Sequence, residues 1–220
     1  KCPKIVGVHL TGKLSGWTSA KDVILKLCGI LTTKGGTDKI IEYFGPGTAS
    51  VSATGKGTIT NMGAELGATT SIFPFDDRMA AYLEVTNRKD VAILSEKFRG
   101  CLVADPEVQS DPKKFYDEIV EIDLSTLEPH VVGPHSPDLA RPISKLAEDV
   151  RREGYPETLR AALIGSCTNS SYEDIGRAAA VAKEAKDAGL KAQCYFLITP
   201  GSDHIHNTIR RDGQLERLSA

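Results

Sequence analysis

The sequence lacks the features of several large protein classes. No apolar stretch approaches the length that spans a membrane, and no run of Lys or Arg exceeds two residues. Acidic and basic side chains nearly balance, with 29 Asp and Glu against 27 Lys and Arg, a formal charge of -2. Because a polyanion-binding surface needs clustered basic residues, we expect this chain to bind neither nucleic acid nor a membrane.

Cysteine is scarce and widely spaced. The chain contains five cysteines, an odd number, and none of them forms a Cys-x-x-Cys pair. This spacing does not predict a disulfide framework and is typical of a protein from a reducing compartment. The chain begins with Lys rather than Met, so the absence of a leader segment says nothing about targeting.

Strand-like and helix-like segments alternate along the chain. This order predicts an α/β fold of two units, each with helices packed on mostly parallel sheets. A stretch that carries four prolines between residues 129 and 142 suggests a connection, and we predict units over 1–125 and 126–220, the second incomplete. The predicted strands include 5–10, 39–44, 160–164 and 192–198, and the predicted helices include 58–68, 173–188, 203–218 and a weaker one at 143–153. Ser19, with Asp22 three residues later, is predicted to cap a further helix, and Ser202 to cap the last one.

The most informative segment follows the predicted strand 160–164 and has the sequence GSCTNSSYED over residues 165–174. Cys167 is expected at the tip of a strand-to-helix turn. The free N–H groups and the positive dipole end of the next helix favour a thiolate, which is the form that binds metals. The residues alone also allow a second interpretation, in which Cys167 is a small buried residue of the turn.

Asn61 and Glu65 form a second candidate pair. They are four residues apart on the predicted helix 58–68 and therefore share one face. Their neighbours are small or apolar, so we expect the Glu65 carboxylate to be desolvated, a setting that suits proton transfer. From the residues alone, a buried structural Asn–Glu pair is an equally good interpretation.

These segments resemble parts of a known family. GSCTNSSYED is similar to the first cluster-cysteine motif of the aconitases, close to the mitochondrial type. Other segments resemble further parts of the same family in the same order, namely residues 14–19, 41–43, 61–71, 199–202 and 209–213.

The resemblance implies a hydro-lyase that interconverts citrate and isocitrate through cis-aconitate with a [4Fe–4S] cluster. Cys167 would be one of three cysteine ligands of the cluster. Thr168, Asn169 and Ser170 could donate hydrogen bonds to its sulfur atoms, and an equally good interpretation is that they are ordinary turn and cap residues. Asn61 and Glu65 would be catalytic residues near the substrate hydroxyl group.

The resemblance also implies that the chain is an internal piece. In aconitases a Cys-x-x-Cys pair, substrate-binding arginines and a catalytic serine follow the first cluster cysteine, and Asp and His residues precede this region. We therefore expect the isolated chain to be inactive and to lack the cluster. The full-length protein is expected to be a monomer of the mitochondrial matrix that binds tricarboxylates.

Alternatives remain open at this point. A homoaconitase-type hydratase of lysine synthesis, and more remotely an isopropylmalate isomerase, share Gly-Ser-Cys-Thr-Asn, whereas residues 170–174 favour an aconitase proper. A non-catalytic paralogue that binds RNA or acts as a scaffold is a further class, and the charge balance counts against RNA binding. The residues that distinguish citrate from homocitrate are expected outside this chain.

Overall fold

The computed structural model describes residues 2–165 and 168–219. By internal contacts the chain divides into two compact units, Lys1–Leu146 and Ala147–Ala220. Helices surround parallel strands in both units, which confirms the predicted α/β class.

The first unit contains strands and helices in mixed order. Its strands are β1 (Lys4–Thr11), β2 (Lys39–Phe44), β3 (Thr70–Ile72), β4 (Glu118–Asp123), β5 (His130–Val131) and β6 (Arg141–Pro142). Its helices are α1 (Ala20–Leu31), α2 (Ala53–Asn61), α3 (Asp77–Val85), α4 (Lys89–Lys97), α5 (Pro106–Ser110) and α6 (Pro112–Phe115), and α7 (Ile143–Glu153) begins in it. Short 3-10 helices cover Pro46–Ser50, Met62–Leu66 and Arg99–Cys101.

Strands β1 to β4 form a parallel sheet in the order β3-β2-β1-β4 within the described residues. Val6, Val8 and Leu10 of the inner strand β1 are fully buried, because alternate residues of a strand face the same side of the sheet. They pack with the apolar residues of α1 and α2 into one hydrophobic core. On the other side of β1, the ring of Tyr116 lies so close to Gly7 that a Cβ atom there would be 2.5 Å from it.

Helix α1 begins as the sequence predicts. The carboxylate of Asp22 accepts hydrogen bonds from the backbone N–H of Ser19 (2.6 Å) and from its hydroxyl group (2.9 Å), and the two residues form a capping box. The other carboxylate oxygen of Asp22 accepts a hydrogen bond from the backbone N–H of His130 (2.8 Å). Asp22 therefore stabilises the start of α1 and also holds the segment that follows β4.

Further contacts fix this segment to α1. The hydroxyl group of Thr18 donates to the carbonyl oxygen of Leu127 (3.0 Å), and the backbone N–H of Thr33 donates to Asp138 (2.5 Å). Consequently, the observed division falls after Leu146, later than the predicted one between residues 125 and 126. That boundary, and the assignment of the two parts to aconitase-type domains, stay predictions about the full-length protein.

The second unit repeats a strand–helix order. Strands β7 (Ala161–Gly165) and β8 (Tyr195–Thr199) pair in parallel, and the helices are α8 (Tyr172–Asp187), α9 (Asp203–Arg211) and α10 (Gln214–Leu218). Its core is formed by Ile175 and Ala179 of α8 with Ile209 and Leu218. Of the described residues in both units, none belongs to a helix long and apolar enough to cross a membrane.

Two predicted helices differ from the structure. The predicted helix 58–68 is an α-helix that begins at Ala53 and ends at Asn61, followed by the 3-10 helix Met62–Leu66. The predicted helix 203–218 is interrupted at Gly213, whose φ of 73° is left-handed and ends α9 before α10 begins. In both cases glycine weakens the α-helix where the prediction continued it, Gly63 and Gly67 in the first and Gly213 in the second.

We predict that replacing Asp22 by Ala frees the segment after β4. The change removes three hydrogen bonds and leaves the N–H groups of Ser19 and His130 without their acceptor, which costs about 3 kcal/mol of folding stability. Denaturant unfolding measures this loss, and limited proteolysis should show new cleavage between residues 128 and 142.

The matched control is Asp111→Ala, because Asp111 precedes α6 and makes no capping hydrogen bond with its side chain. We expect this variant to unfold like the original chain. If Asp22→Ala unfolds like the control and residues 128–142 stay resistant to proteolysis, the hydrogen bonds of Asp22 do not hold the segment.

Candidate active site

Asn61 and Glu65 lie where one type of helix changes into another. Asn61 is the last residue of α2, and Glu65 belongs to the 3-10 helix Met62–Leu66. A 3-10 helix turns 120° per residue instead of 100°, so residues four apart no longer share a face. The predicted common face of Asn61 and Glu65 is therefore wrong.

The turn after α2 is closed by its own backbone. Gly67, at a left-handed φ of 73°, donates its N–H to the carbonyl oxygen of Ala64 (3.0 Å), and Ala68 donates to that of Gly63 (3.1 Å). Leu66 is fully buried in the core and thereby fixes the turn to it. Gly63 cannot be exchanged freely, because a Cβ atom there would lie 2.5 Å from the hydroxyl oxygen of Ser71.

Asn61 lines an open polar depression of about 530 Å³ at the amino-terminal end of β3. The other lining residues come from α2, the turn and β3, namely Gly57, Thr60, Gly63, Ala64, Ala68, Thr69, Thr70 and Ser71. Glu65 is not among them. Hydroxyl and amide groups dominate this wall, so it suits a polar ligand that needs hydrogen bonds.

Glu65 is exposed to solvent in this chain, and the predicted desolvation of its carboxylate is wrong for the chain as it stands. Its negative charge nevertheless affects a buried thiol in the core. Burial raises the pKa of the Cys28 thiol, the carboxylates of Glu65 and Asp138 act in the same direction, and together they bring it from 9.0 to about 11. An exposed carboxylate exchanges protons with water readily, which is compatible with a role in proton transfer.

The second candidate region lies between β7 and α8. Strand β7 ends at Gly165, whose φ of 146° and close approach to the carbonyl oxygen of Thr199, 2.2 Å from an ideal Cβ position, demand glycine. Cys167, the predicted metal and cluster ligand, lies outside the described residues. Its surroundings on the chain are nevertheless described from Thr168 onward.

Helix α8 begins with a capping box. Ser171 accepts a hydrogen bond from the backbone N–H of Asp174 (3.2 Å), and the carboxylate of Asp174 accepts from the N–H (3.2 Å) and hydroxyl (2.7 Å) of Ser171. Asp174 and Glu173 also place negative charge in the first turn. They therefore offset part of the positive charge at the start of α8. That charge was expected from the sequence to favour a thiolate at Cys167. The spacing Ser171-x-x-Asp174 is the signal by which this cap could have been predicted.

The three residues predicted to donate hydrogen bonds to cluster sulfurs differ in their surroundings. Ser170 is buried, and its carbonyl oxygen accepts the N–H of Gly201 (3.3 Å). The side-chain amide of Asn169 donates to Asp174 (3.4 Å), while its oxygen is buried and has no hydrogen-bond partner among residues 2–165 and 168–219. Thr168 is partly buried.

The loops that follow β7 and β8 meet at one edge of this small sheet. Gly165 pairs with Thr199 at the ends of the two strands, and Ser202 then caps α9 by accepting the N–H of Ile205 (3.2 Å). Each loop thus connects a strand to the start of a helix, which confirms the predicted βαβα pattern. The carboxyl ends of parallel strands are the usual place of ligand sites in α/β sheets.

Taken by themselves, the described residues of both units contain no group of three His, Cys, Asp or Glu side chains that could hold a metal ion. Asn61 and Glu65 belong to the first unit, and Thr168, Asn169 and Ser170 to the second. Arg210 and Arg211 are exposed at the end of α9, where Arg211 pairs with Asp212 (2.7 Å).

Comparison with known proteins identifies the family. The model of the aconitase family (aconitate hydratase) matches residues 1–220, and the chain belongs to this family. It is 57% identical over 218 residues to "Aconitate hydratase, mitochondrial" of Schizosaccharomyces pombe, covering 99% of this chain and 27% of that protein. It is 58% identical over 213 residues to "Probable aconitate hydratase, mitochondrial" of Caenorhabditis elegans (97% and 27%). It is 56% identical over 216 residues to the Saccharomyces cerevisiae mitochondrial protein (98% and 27%). The chain therefore spans about a quarter of the length of these relatives.

We predict that the Cys28 thiol makes the first unit sensitive to alkali. The unfolded thiol loses its proton near pH 9 and the folded thiol near pH 11, so stability is complete below about pH 8 and falls as the pH rises between these values. At pH 10.5 the loss should be about 2 kcal/mol relative to pH 8. Urea unfolding at both pH values measures it.

Other groups also titrate in this range, since burial raises the pKa of the Tyr43 hydroxyl as well. Cys28→Ala separates their effects, because it should reduce the pH dependence while Tyr43 is retained. An unchanged slope between pH 8 and 10.5 in Cys28→Ala would contradict the assignment.

Proposed function

We propose that the protein to which this chain belongs is an aconitate hydratase, a hydro-lyase that interconverts citrate and isocitrate through cis-aconitate in the tricarboxylic acid cycle. The observation that carries this proposal is the family match over residues 1–220 together with identity of 54–58% to proteins named aconitate hydratase. The names of these relatives also support a mitochondrial location. The substrates would be tricarboxylates, and the full-length protein would act as a monomer without nucleic acid or membrane.

The family implies a [4Fe–4S] cluster, and the residues of this chain fit part of its site. Cys167 supplies a soft sulfur ligand of the kind that holds such clusters. In this proposal the chain donates one ligand of the cluster, and the other cysteines come from the rest of the full-length protein. When bound by three cysteines, the cluster leaves one iron open and supplies a Lewis acid for a hydroxyl group.

The residues after Cys167 would shape its surroundings. The buried oxygen of Asn169 has no partner in the described chain and is therefore open to a donor from a ligand, a water molecule or another part of the protein. Its amide group and the hydroxyl groups of Thr168 and Ser170 are donors that could bond to sulfur atoms. Hydrogen bonds of this kind orient metal ligands and tune their basicity.

Glu65 and Asn61 would serve the exchange of water. Removing a hydroxyl group as water requires a proton, and returning water to the double bond releases one. The exposed carboxylate of Glu65 can hold that proton at an oxygen atom, and the amide of Asn61 can orient a hydroxyl group by hydrogen bonding. Asn61 lines the polar depression, so it is placed to contact a ligand there.

We predict that Glu65→Gln in the full-length protein lowers kcat by about 10²–10⁴-fold, because the amide keeps the shape but cannot carry a proton at neutral pH. The KM should change less, since the carboxylate acts mainly in the transition state. The measurements are hydration of cis-aconitate and iron content. Cys167→Ser should differ in kind, with a loss of iron and of activity together. Near-normal turnover of Glu65→Gln with full iron content would assign Glu65 a structural role.

We predict that the 220-residue chain alone neither holds a stable cluster nor hydrates cis-aconitate. One thiolate cannot replace three, because each cysteine ligand is needed to retain the cluster. Anaerobic reconstitution followed by iron and sulfide analysis tests this expectation. Four irons per chain together with hydration of cis-aconitate would overturn it, and full-length protein reconstituted in parallel is the positive control.

A further inference from the structure

Helix α2 carries a buried charge on the side away from the solvent. The side chain of Lys56 is only 2% exposed, and its ammonium group forms an ion pair with Asp76, whose side chain is 20% exposed. The ammonium nitrogen also lies 5.9 Å from the centre of the Phe73 ring. A buried lysine is costly to desolvate, so its single carboxylate partner decides whether this position is tolerated.

Asp76 connects this charge to two other elements. One carboxylate oxygen pairs with Lys56, and the other accepts the N–H of Met79 (3.1 Å) as the N-cap of α3. Phe73, next to the ammonium group, stacks on the ring of the fully buried Tyr43 in β2 at 4.3 Å. The ion pair therefore ties α2 to the start of α3 and to an aromatic stack on the sheet.

The ion pair and Asn61 lie on different sides of α2. Asn61 lies five positions after Lys56, so the two side chains leave an α-helix in directions about 140° apart. Lys56 is accordingly buried, whereas Asn61 is exposed and lines the polar depression. The helix also approaches α1 closely at Gly55, where a Cβ atom would lie 2.9 Å from Ala20. This contact holds α2 against α1.

We propose that the Lys56–Asp76 ion pair positions Asn61 by setting the rotation of α2, an inference that rests on the proposed hydratase function. Loss of the carboxylate charge leaves the ammonium group buried and unpaired. The helix then turns to bring Lys56 to water and carries Asn61 away from its place in the depression. Lys56 and Asp76 are positioning residues and do not contact the ligand.

The chemistry of the pair gives a set of variants with different expected effects. Asp76→Asn keeps the cap of α3, since Asn caps helices as well as Asp, and removes only the charge that Lys56 needs. Lys56→Met keeps a long side chain without the charge, and the partly exposed Asp76 can be hydrated. The double variant removes both charges, and such replacements of buried pairs are often tolerated.

The first measurement follows Asn61 directly in the 220-residue chain. With ¹⁵N-labelled asparagine, the side-chain amide signal of Asn61 should shift in Asp76→Asn and return towards its original position in the double variant. The assignment uses Asn61→Asp, which removes that signal. An Asn61 signal unchanged in Asp76→Asn overturns the positioning role, whatever the activity.

The second measurement uses the full-length protein with its iron content determined. Asp76→Asn should lower kcat/KM for cis-aconitate by roughly 10- to 100-fold, the range expected when a contact group is misplaced by about 1 Å. The double variant should recover most of the loss. The control is Lys39→Met, which breaks the Lys39–Glu118 pair (2.7 Å) between β2 and β4 and should leave kcat/KM unchanged.

The two measurements separate the possible failures. If Asp76→Asn lowers the melting temperature but retains kcat/KM and full iron content, the ion pair is structural and the positioning role is wrong. If the unaltered full-length protein with its iron does not hydrate cis-aconitate while the Asn61 signal shifts as expected, the proposed function fails and the positioning of Asn61 stands.

Discussion

The burial of β1 is the constraint on which the first unit depends. This strand lies between β2 and β4, and its alternate residues Val6, Val8 and Leu10 are fully excluded from water. Each such side chain contributes about 1.5–3 kcal/mol when buried, so the strand fixes where its neighbours and covering helices lie. Gly7 on the opposite side admits the ring of Tyr116 at a distance that no Cβ atom would permit. The sheet order follows from these contacts, and the turn with Asn61 and Glu65 is placed by the strand that it precedes.

Carboxylates that have their hydrogen-bond and ion-pair partners hold the elements around this core. Asp22 satisfies the start of α1 and the backbone of His130 with one carboxylate. Asp76 likewise serves as the N-cap of α3 and as the partner of the buried Lys56. In each case a short acidic side chain at a helix start joins a local cap to a distant residue. Such a group stabilises the helix and specifies the tertiary contact at the same time.

Much of the secondary structure could be predicted from the sequence, because its signals are local. Strand β2 and helix α7 have the predicted limits, and Ser19 and Ser202 stand at helix starts as predicted. The predictions that were wrong concern contacts between residues far apart in the sequence, or conformations that differ little in free energy. The α-helix ends at Asn61 and a 3-10 helix follows, because the glycines at 63 and 67 weaken an α-helix there.

The tertiary role of the segment after β4 could not be read from its prolines. Its attachment depends on Asp22 and Asp138, which pair with residues 108 and 105 positions away along the chain. The same limit applied to the candidate site. Small neighbours in sequence suggested that Glu65 is desolvated, yet exposure is set by what packs over the turn in space, and in this chain Glu65 remains exposed.

The candidate residues of both units occupy similar structural positions. Asn61 and Glu65 lie in a turn that connects a helix to a strand, and Thr168, Asn169 and Ser170 in one that connects a strand to a helix. Both turns are constrained by glycines that pack against a neighbouring element, Gly63 against Ser71 and Gly165 against Thr199. Within the part of the chain that the structure describes, the side-chain oxygen of Asn169 is buried and has no hydrogen-bond partner, which is unfavourable unless a ligand or another part of the protein supplies a donor.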